Sequence, residues 1–175
     1  FEASEYLAIK VLNQSSCTLE SNLAKQLETY RAMKKGSIAP DIIFEEKATI
    51  IHNNNSLSKL SDSKTLYKLV VFGASWCPKC TEEIPLLTNN YIGWKNKGLE
   101  VLFISLDDDK KIFENFTKSF PFISYCDFQK WNSKPVQDYY VFGTPTMFIL
   151  DQNQKIVLRP NSIKQVDAWV EMTLK

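Results

Sequence analysis

The sequence predicts an α/β fold, in which a central mixed sheet is flanked by helices and preceded by an N-terminal helical extension. From position 67 onward, apolar strand-like runs alternate with helical stretches, the pattern of β-α-β units. The chain has 175 residues, 44% of them hydrophobic, enough to fill a sizeable core. We expect an extension over residues 1–35 and one domain over residues 36–175.

The extension is expected to form one or two packed helices. Apolar side chains recur in it at the spacing of a helix face. They are Leu19, Leu23, Leu27 and Tyr30. Ser16 and Thr18 are candidate helix caps, and Gly36 is expected to end the helical stretch. The role of this extension stays open at the level of the sequence.

Short β-rich pieces are expected after Gly36, because the Gly and Pro of the following segment break the helical pattern. They lie near residues 42–44 and 48–51, before a polar turn at Asn53, Asn54 and Asn55.

The alternating part is expected to begin with strand, helix, strand and helix. These elements lie near residues 67–72, 78–96, 99–106 and 110–119. A looser segment, 120–134, then leads through a short helix to Pro145, and residues 147–150 and 155–158 form a hairpin. Ser162 and Gln165 are spaced as a capping box for a final helix. We expect that helix to bury Ile163, Val166 and Val170.

The segment Trp76-Cys77-Pro78-Lys79-Cys80 lies at the turn from the first of these strands to the helix that follows. Backbone N–H groups and the helix dipole stabilise a thiolate at such a position. A two-residue spacer also allows the two sulfurs to close a small ring. The spacing therefore predicts a redox-active pair, Cys77 and Cys80.

Zinc binding and an inert structural disulfide are the alternatives for this pair. A structural zinc site needs four ligands, usually from a second closely spaced pair. The remaining candidates, Cys17, Cys126 and His52, are scattered along the chain, so we expect no metal. Cys17 and Cys126 are expected to be buried small side chains, with a mutual disulfide as the alternative. His52 is expected in a loop or at the end of a strand.

The charge balance limits the classes of binding partner that we expect. Twenty-one Lys and Arg against 20 Asp and Glu leave a net charge of +1, which argues against nucleic acid or an anionic membrane surface. Apolar stretches stay short of the roughly 20 residues of a membrane span. The chain begins at Phe1 without a signal-peptide pattern. Because it also lacks an initiator Met, we expect a processed product or a fragment whose targeting segment lay upstream.

Several motifs follow one another at a characteristic order and spacing. They are Ala39-Pro40-Asp41, Trp76-Cys77-Pro78-Lys79-Cys80 with Glu83 and Pro85, and Gly143-Thr144-Pro145-Thr146 before a strand that ends in Asp151. In this order and spacing the chain resembles thioredoxin-fold thiol–disulfide oxidoreductases of the TlpA/ResA type, over roughly residues 36–175. Thioredoxin itself carries a buried Asp six residues before its first cysteine, where this chain has Val71.

The resemblance implies a thioredoxin-like fold and disulfide exchange with protein substrates, without a cofactor other than the redox-active Cys77–Cys80 disulfide. It also implies a reducing role outside the cytoplasm, in the periplasm or tethered to the outer side of a membrane, with electrons from a membrane-bound thiol–disulfide partner. Thr144-Pro145 resembles the loop that faces the two cysteines with a cis peptide bond, which exposes backbone for a substrate.

Each site residue has an expected role. Cys77 is the nucleophile, because the first thiol of such a turn is the more exposed, and Cys80 resolves the mixed disulfide. Glu83 is expected to accept the proton of Cys80. Trp76 is expected to cover Cys77 and contact substrates. Lys79 either tunes the thiolate or is a solvated cation at the start of the helix.

Three other functions fit parts of the pattern. A disulfide-forming oxidant would use the same two thiols in the opposite direction. A redox-inert interaction domain of a larger protein would use the face around Pro145 and the extension. The start at Ala39 also resembles peroxiredoxins, but their Pro-x-x-x-Thr-x-x-Cys pattern is absent before Cys77.

Overall fold

The computed structural model describes residues 6, 10, 27, 31–52 and 57–174. Six strands form one mixed sheet, in the order β1-β4-β3-β2-β5-β6. Their bounds are Thr49–Ile51 (β1), Tyr67–Gly73 (β2), Leu99–Ser105 (β3), Ile123–Cys126 (β4), Thr146–Asp151 (β5) and Ile156–Leu158 (β6). Strands β2, β3 and β4 are parallel to one another, and the other pairings are antiparallel.

Helices connect and flank these strands, which confirms the expected α/β architecture. They are Pro78–Asn96 (α1), Lys110–Thr117 (α2), Lys134–Asp138 (α3) and Ile163–Thr173 (α4). Short 3-10 turns lie at Leu60–Asp62 and Lys130–Asn132. Among the helices of the described part, none is long and apolar enough to cross a membrane.

The core is built on the central strands β2 and β3. Residues 69–72 of β2 are completely buried, as expected for a parallel strand covered on both faces. This includes Val71, where thioredoxin carries its buried Asp. Aromatic side chains fill the space around α2 and β3 with edge-to-face contacts, for example Phe103 with Phe120 at 5.9 Å between ring centroids.

Lys68 is an exception within β2. Its side chain is only 1% exposed, and its Nζ has no hydrogen-bond partner among the described residues. Burial lowers the pKa of this ammonium group, and the nearby carboxylates of Asp41 and Asp151 oppose that effect. A buried cation of this kind costs free energy.

The segment just after Gly36 lies along β6. Gly36 N donates to Ile156 O at 2.7 Å, Ile156 N donates to Ser37 O at 2.9 Å, and Ala39 N donates to Gln154 O at 2.8 Å. Tyr139, directly after α3, holds the same segment by donating from its Oη to Pro40 O at 2.8 Å. Gly36 itself has a φ of +92°, a backbone conformation that favours glycine.

Most of the expected elements from residue 67 onward are confirmed within one or two residues at each end. Strand β4 is an addition, since it lies in the segment expected to be irregular. Residues 42–44 form only an isolated bridge, between Ile43 and Lys59, and are not a strand. Most of the extension lies outside the described residues, including Cys17 and three of the four residues of the expected helix face, as does the turn at 53–55. The fourth, Leu27, is helical, as expected.

The capping box of the last helix forms in modified form. Ser162 Oγ accepts the N–H of Gln165 at 3.4 Å. The Gln165 side chain, however, accepts from Asn161 N at 2.8 Å and not from Ser162 N. Ile163, Val166 and Val170 are buried, as expected.

Candidate active site

Cys77 lies at the N-cap of α1, between strand β2 and the helix. Pro78 occupies the first helical position, where a missing N–H costs no hydrogen bond. The Sγ of Cys77 accepts the backbone N–H of Cys80 at 3.3 Å. The cysteine sulfur thus acts as the helix cap, where N–H donors stabilise a negative charge.

The environments of the two thiols differ. Burial disfavours ionisation of Cys77, but hydrogen bonds from Cys80, Thr144 and the backbone N–H groups of Cys80 and Lys79 lower its pKa below the ordinary value. Burial, followed by the hydrogen bond with Cys77, raises the pKa of Cys80 to about 12. Both cysteines are free thiols, and Cys77 is 7% exposed against 0% for Cys80.

The expected exposure of Cys77 is therefore only partly met. Cys77 is the more accessible of the two thiols, but it is still buried, because the loop that leads into β5 lies over the N-terminus of α1. Cys77 Sγ lies 3.5 Å from the carbonyl oxygen of Thr144. The Thr144–Pro145 peptide bond is cis, as the resemblance implied.

Glu83 lies on α1, one turn beyond Cys80. Its side chain is 22% exposed and pairs loosely with Lys79, at 3.8 Å between Lys79 Nζ and Glu83 Oε1. The other oxygen, Oε2, is buried and has no hydrogen-bond partner among the described residues. This buried oxygen is compatible with a proton acceptor. Lys79 is a largely exposed cation that contacts Glu83.

Trp76 is held from β3 and remains half exposed. Its Nε1 donates to Leu106 O at 3.3 Å, and its ring lies 6.1 Å from that of Trp131. The indole is 48% exposed, so one aromatic face beside Cys77 can contact another molecule.

A groove extends from this aromatic pair and was not anticipated from the sequence. Its volume is about 510 Å³. It is lined by Trp131, Asn132, Val136, Gln137, Tyr140, Val141 and Phe142. Phe142 lies two residues before Thr144, so the wall of the groove continues into the loop over Cys77. Aromatic residues are frequent between positions 113 and 140, and a sequence of this kind indicates core packing first and a docking surface second, without showing where such a surface lies.

Asp107 is a residue near the site that the sequence did not single out. It lies two positions after the end of β3 and accepts hydrogen bonds from Ser75 and Ser105 in the interior. One signal could have found it: the carboxyl ends of parallel strands meet at one edge of a sheet, where sites form. By that rule, an acid just after β3 lies near the turn just after β2.

The other candidate ligands do not gather at this site. Cys126 is a buried free thiol that donates to Asp107 O at 3.3 Å, and burial raises its pKa to about 12. His52 directly follows β1 and is exposed. Among the residues that the structure describes, no group of three His, Cys, Asp or Glu side chains is placed to hold a metal ion.

Comparison with known proteins adds to this geometry. A family model described as thioredoxin-like matches residues 66–156, more than half of the chain. The chain is 28% identical over 130 residues to the thiol-disulfide oxidoreductase ResA of Bacillus subtilis, covering 72% of this chain and 66% of that protein. It is 28% identical over 137 residues to ResA of Oceanobacillus iheyensis, covering 78% of this chain and 68% of that protein.

A solved structure is similar over most of the fold. The thioredoxin domain of a thiol-disulfide oxidoreductase from Bacteroides vulgatus has a TM-score of 0.64 and 27% identity, over 81% of this chain and 98% of that domain. The chain spans about two thirds of the length of the two ResA proteins that it matches.

Proposed function

The chain belongs to the thioredoxin-like family, and on that premise we propose that it is a thiol–disulfide oxidoreductase that reduces protein disulfides with Cys77 and Cys80. The observation that carries the proposal is the placement of Cys77 Sγ as the cap of α1, 3.3 Å from Cys80 N. This position stabilises a thiolate on the outer cysteine and keeps the second thiol within the next turn.

The proposed reaction has two exchange steps. The Cys77 thiolate attacks one sulfur of the substrate disulfide, forms a mixed disulfide and releases the other substrate sulfur as a thiolate, which is protonated. Cys80, once deprotonated, attacks Cys77 Sγ and releases the second substrate thiolate. The substrate gains two electrons and two protons, and Cys77 and Cys80 are left as a disulfide.

The second step needs a base, because the pKa of Cys80 is about 12. We assign this role to Glu83, on the same helix, whose Oε2 is buried without a hydrogen-bond partner among the described residues. A carboxylate in that state gains a hydrogen bond when it accepts a proton from Cys80. No cofactor takes part in the proposed reaction.

Trp76, Thr144 and Pro145 form the proposed substrate contact. An extended segment of the substrate places its backbone against Thr144, whose carbonyl oxygen lies 3.5 Å from Cys77 Sγ. The exposed face of Trp76 packs on neighbouring apolar atoms of the substrate.

The reducing direction, the extracytoplasmic location and the thiol–disulfide electron donor are proposed from the TlpA/ResA resemblance. An oxidant would use the same geometry. The reduction potential of the Cys77–Cys80 pair separates the two directions: a value near −270 mV, as in thioredoxin, supports a reductant, and a value near −120 mV, as in DsbA, supports an oxidant.

Trapping tests the proposed activity. In Cys80→Ser, Cys77 still attacks a substrate disulfide but no internal thiol resolves the adduct, so a mixed disulfide with disulfide-bonded insulin or a natural partner accumulates on a non-reducing gel. Cys77→Ser is the matched control and should trap nothing. Trapping by Cys77→Ser alone reverses the assigned roles. Failure of both, with a folded and unreactive parent, favours the redox-inert interaction domain.

A further inference from the structure

Asp107 is a buried acid beside the active-site turn that the proposed reaction does not use. Its side chain is 1% exposed. Oδ1 accepts from Ser75 N at 3.2 Å and from Ser75 Oγ at 2.7 Å. Oδ2 accepts from Ser105 Oγ at 2.6 Å and more weakly from Ser75 N at 3.3 Å. Each of these bonds is donated by a serine to an oxygen of the carboxyl group.

Hydrogen bonds take the place of a counterion at this position. Among the described residues, no Lys, Arg or His forms a salt bridge with Asp107. A buried charge is costly unless hydrogen bonds satisfy it. The two serines supply those bonds, so the carboxylate and Ser75 depend on each other for their positions.

Asp107 is linked to the reacting sulfur of Cys77 through two residues, Ser75 and Trp76. Ser75 precedes Trp76, whose Nε1 donates to Leu106 O, and Cys77 N donates to Ala74 O at 3.3 Å. The turn is thus tied to the end of β3 at Ser75 and at Trp76. Since β2 ends at Gly73, these two ties set where α1 begins.

Asp107 also lies at a junction of three segments. Its own N donates to Ser105 Oγ at 3.1 Å, and its carbonyl oxygen accepts from Cys126 Sγ at the end of β4. The end of β3, the end of β4 and the turn before Cys77 therefore meet at this residue.

We propose that Asp107 is a positioning residue for the exchange reaction: by holding Ser75, it keeps Cys77 Sγ within reach of the N–H donors at the start of α1. This inference rests on the proposed function for its biological meaning. The geometry it describes concerns the reactivity of Cys77 itself, which is measured without any physiological substrate.

The test compares three variants with the parent by the pH dependence of Cys77 alkylation, after far-UV circular dichroism has shown that each is folded. Asp107→Ala removes the anchor. Asp107→Asn keeps an acceptor for Ser75 and donates to Ser105 Oγ. Asp108→Ala is the matched control, because Asp108 is an exposed neighbour paired with Lys130 at 2.6 Å. Cys126, the titratable neighbour that touches Asp107, has a pKa raised by burial to about 12 and stays neutral through the assay.

In Asp107→Ala, we expect the Cys77 thiolate to lose one charge-assisted hydrogen bond from the N–H donors at the start of α1, because Ser75 is no longer held. Alkylation of Cys77 at pH 7 should then be about tenfold slower, and its half-maximal rate should move to higher pH. Asp107→Asn should retain the rate within about twofold, because the anchor survives. Asp108→Ala should match the parent. A variant that is less stable but keeps the geometry of the site would have a lower melting temperature and an unchanged pH profile of Cys77 alkylation.

Two results overturn the inference. The first is a folded Asp107→Ala protein with the parental pH profile. The second is a shift to lower pH in both Asp107 variants, which would show that the charge alone acts. If Asp107→Ala does not fold, Ser75→Ala decides, since it removes the 2.7 Å bond to Oδ1, the shortest of the bonds between Ser75 and Asp107, on which the positioning is taken to depend. The longer bonds from Ser75 N remain in this variant. Slower alkylation supports the positioning role, and a parental rate refutes it. A parent with reactive Cys77 but no disulfide exchange would refute the proposed function and leave this inference standing.

Discussion

The unequal pKa values of the two active-site thiols predict unequal rates of alkylation. Burial raises the pKa of Cys80 to about 12, against an ordinary value of 9.0, so about a thousandfold less of it is thiolate at neutral pH. The more basic thiolate is about twentyfold more nucleophilic, at a Brønsted coefficient of 0.4–0.5. Cys80 should therefore react about fiftyfold more slowly than an unperturbed cysteine.

Cys77 should react faster than an unperturbed cysteine, because the hydrogen bonds at the helix N-terminus lower its pKa. The ratio of the two rates then exceeds about fiftyfold at pH 7, before the complete burial of Cys80 is counted. As pH rises, the rate of Cys77 levels off once its thiol is ionised, while the rate of Cys80 continues to increase towards pH 12.

Reduced protein treated with limiting iodoacetamide, followed by mass spectrometry of the separate peptides, gives both rates. Cys80→Ser and Cys77→Ser isolate each thiol, and the serine hydroxyl retains a hydrogen-bonding group at the removed position. Equal rates for Cys77 and Cys80 in natively folded protein would refute the argument, as would a Cys80 rate that levels off near pH 9.

Two further variants test separate features. Glu83→Gln should leave the fold intact and slow the resolving step by at least about tenfold, with an altered pH dependence, because the base for Cys80 is lost. Glu82→Gln, at an exposed neighbouring position, is the control. Coinciding pH–rate profiles of Glu83→Gln and the parent would show that Glu83 takes no part in the reaction. Lys68→Met should raise the free energy of unfolding at pH 7 by about 1–3 kcal/mol, because it removes a buried ammonium group without a hydrogen bond. Burial lowers the Lys68 pKa, so its charge destabilises the fold most below that pKa, and the gain should shrink as pH rises towards 10.5. The exposed Lys64→Met should show no such gain in urea unfolding, and an equal gain there would contradict the argument.

Local patterns were sufficient for the elements that carry the cysteines. An apolar run, followed by two thiols around a proline, predicted β2, the turn and the start of α1. Strand β4 was missed because only four residues, Ile123–Cys126, carry it, between phenylalanines and polar residues that are typical of a loop. The pairing of β4 with β1 and β3 supplies what the short segment lacks.

The missed parts of the site depend on distant contacts. Asp107 lies 32 positions from Ser75, and nothing in the spacing of the two shows that they meet. The near-complete burial of Cys77 comes from a loop 67 positions away. The lining of the groove beside Trp131 likewise depends on how the segment before β5 turns back towards Trp76.

The two outer strands of the sheet, β1 and β6, are three residues long, and the segment after Gly36 occupies the free side of β6. An exposed sheet edge can pair with any extended chain and lead to aggregation. Under the proposed function, a polypeptide segment that brings its disulfide to Cys77 is itself an extended chain. The short outer strands, with the segment after Gly36 lying along β6, limit β-pairing with such a segment, so that contact is directed to the surface beside the thiols and each encounter can end in release.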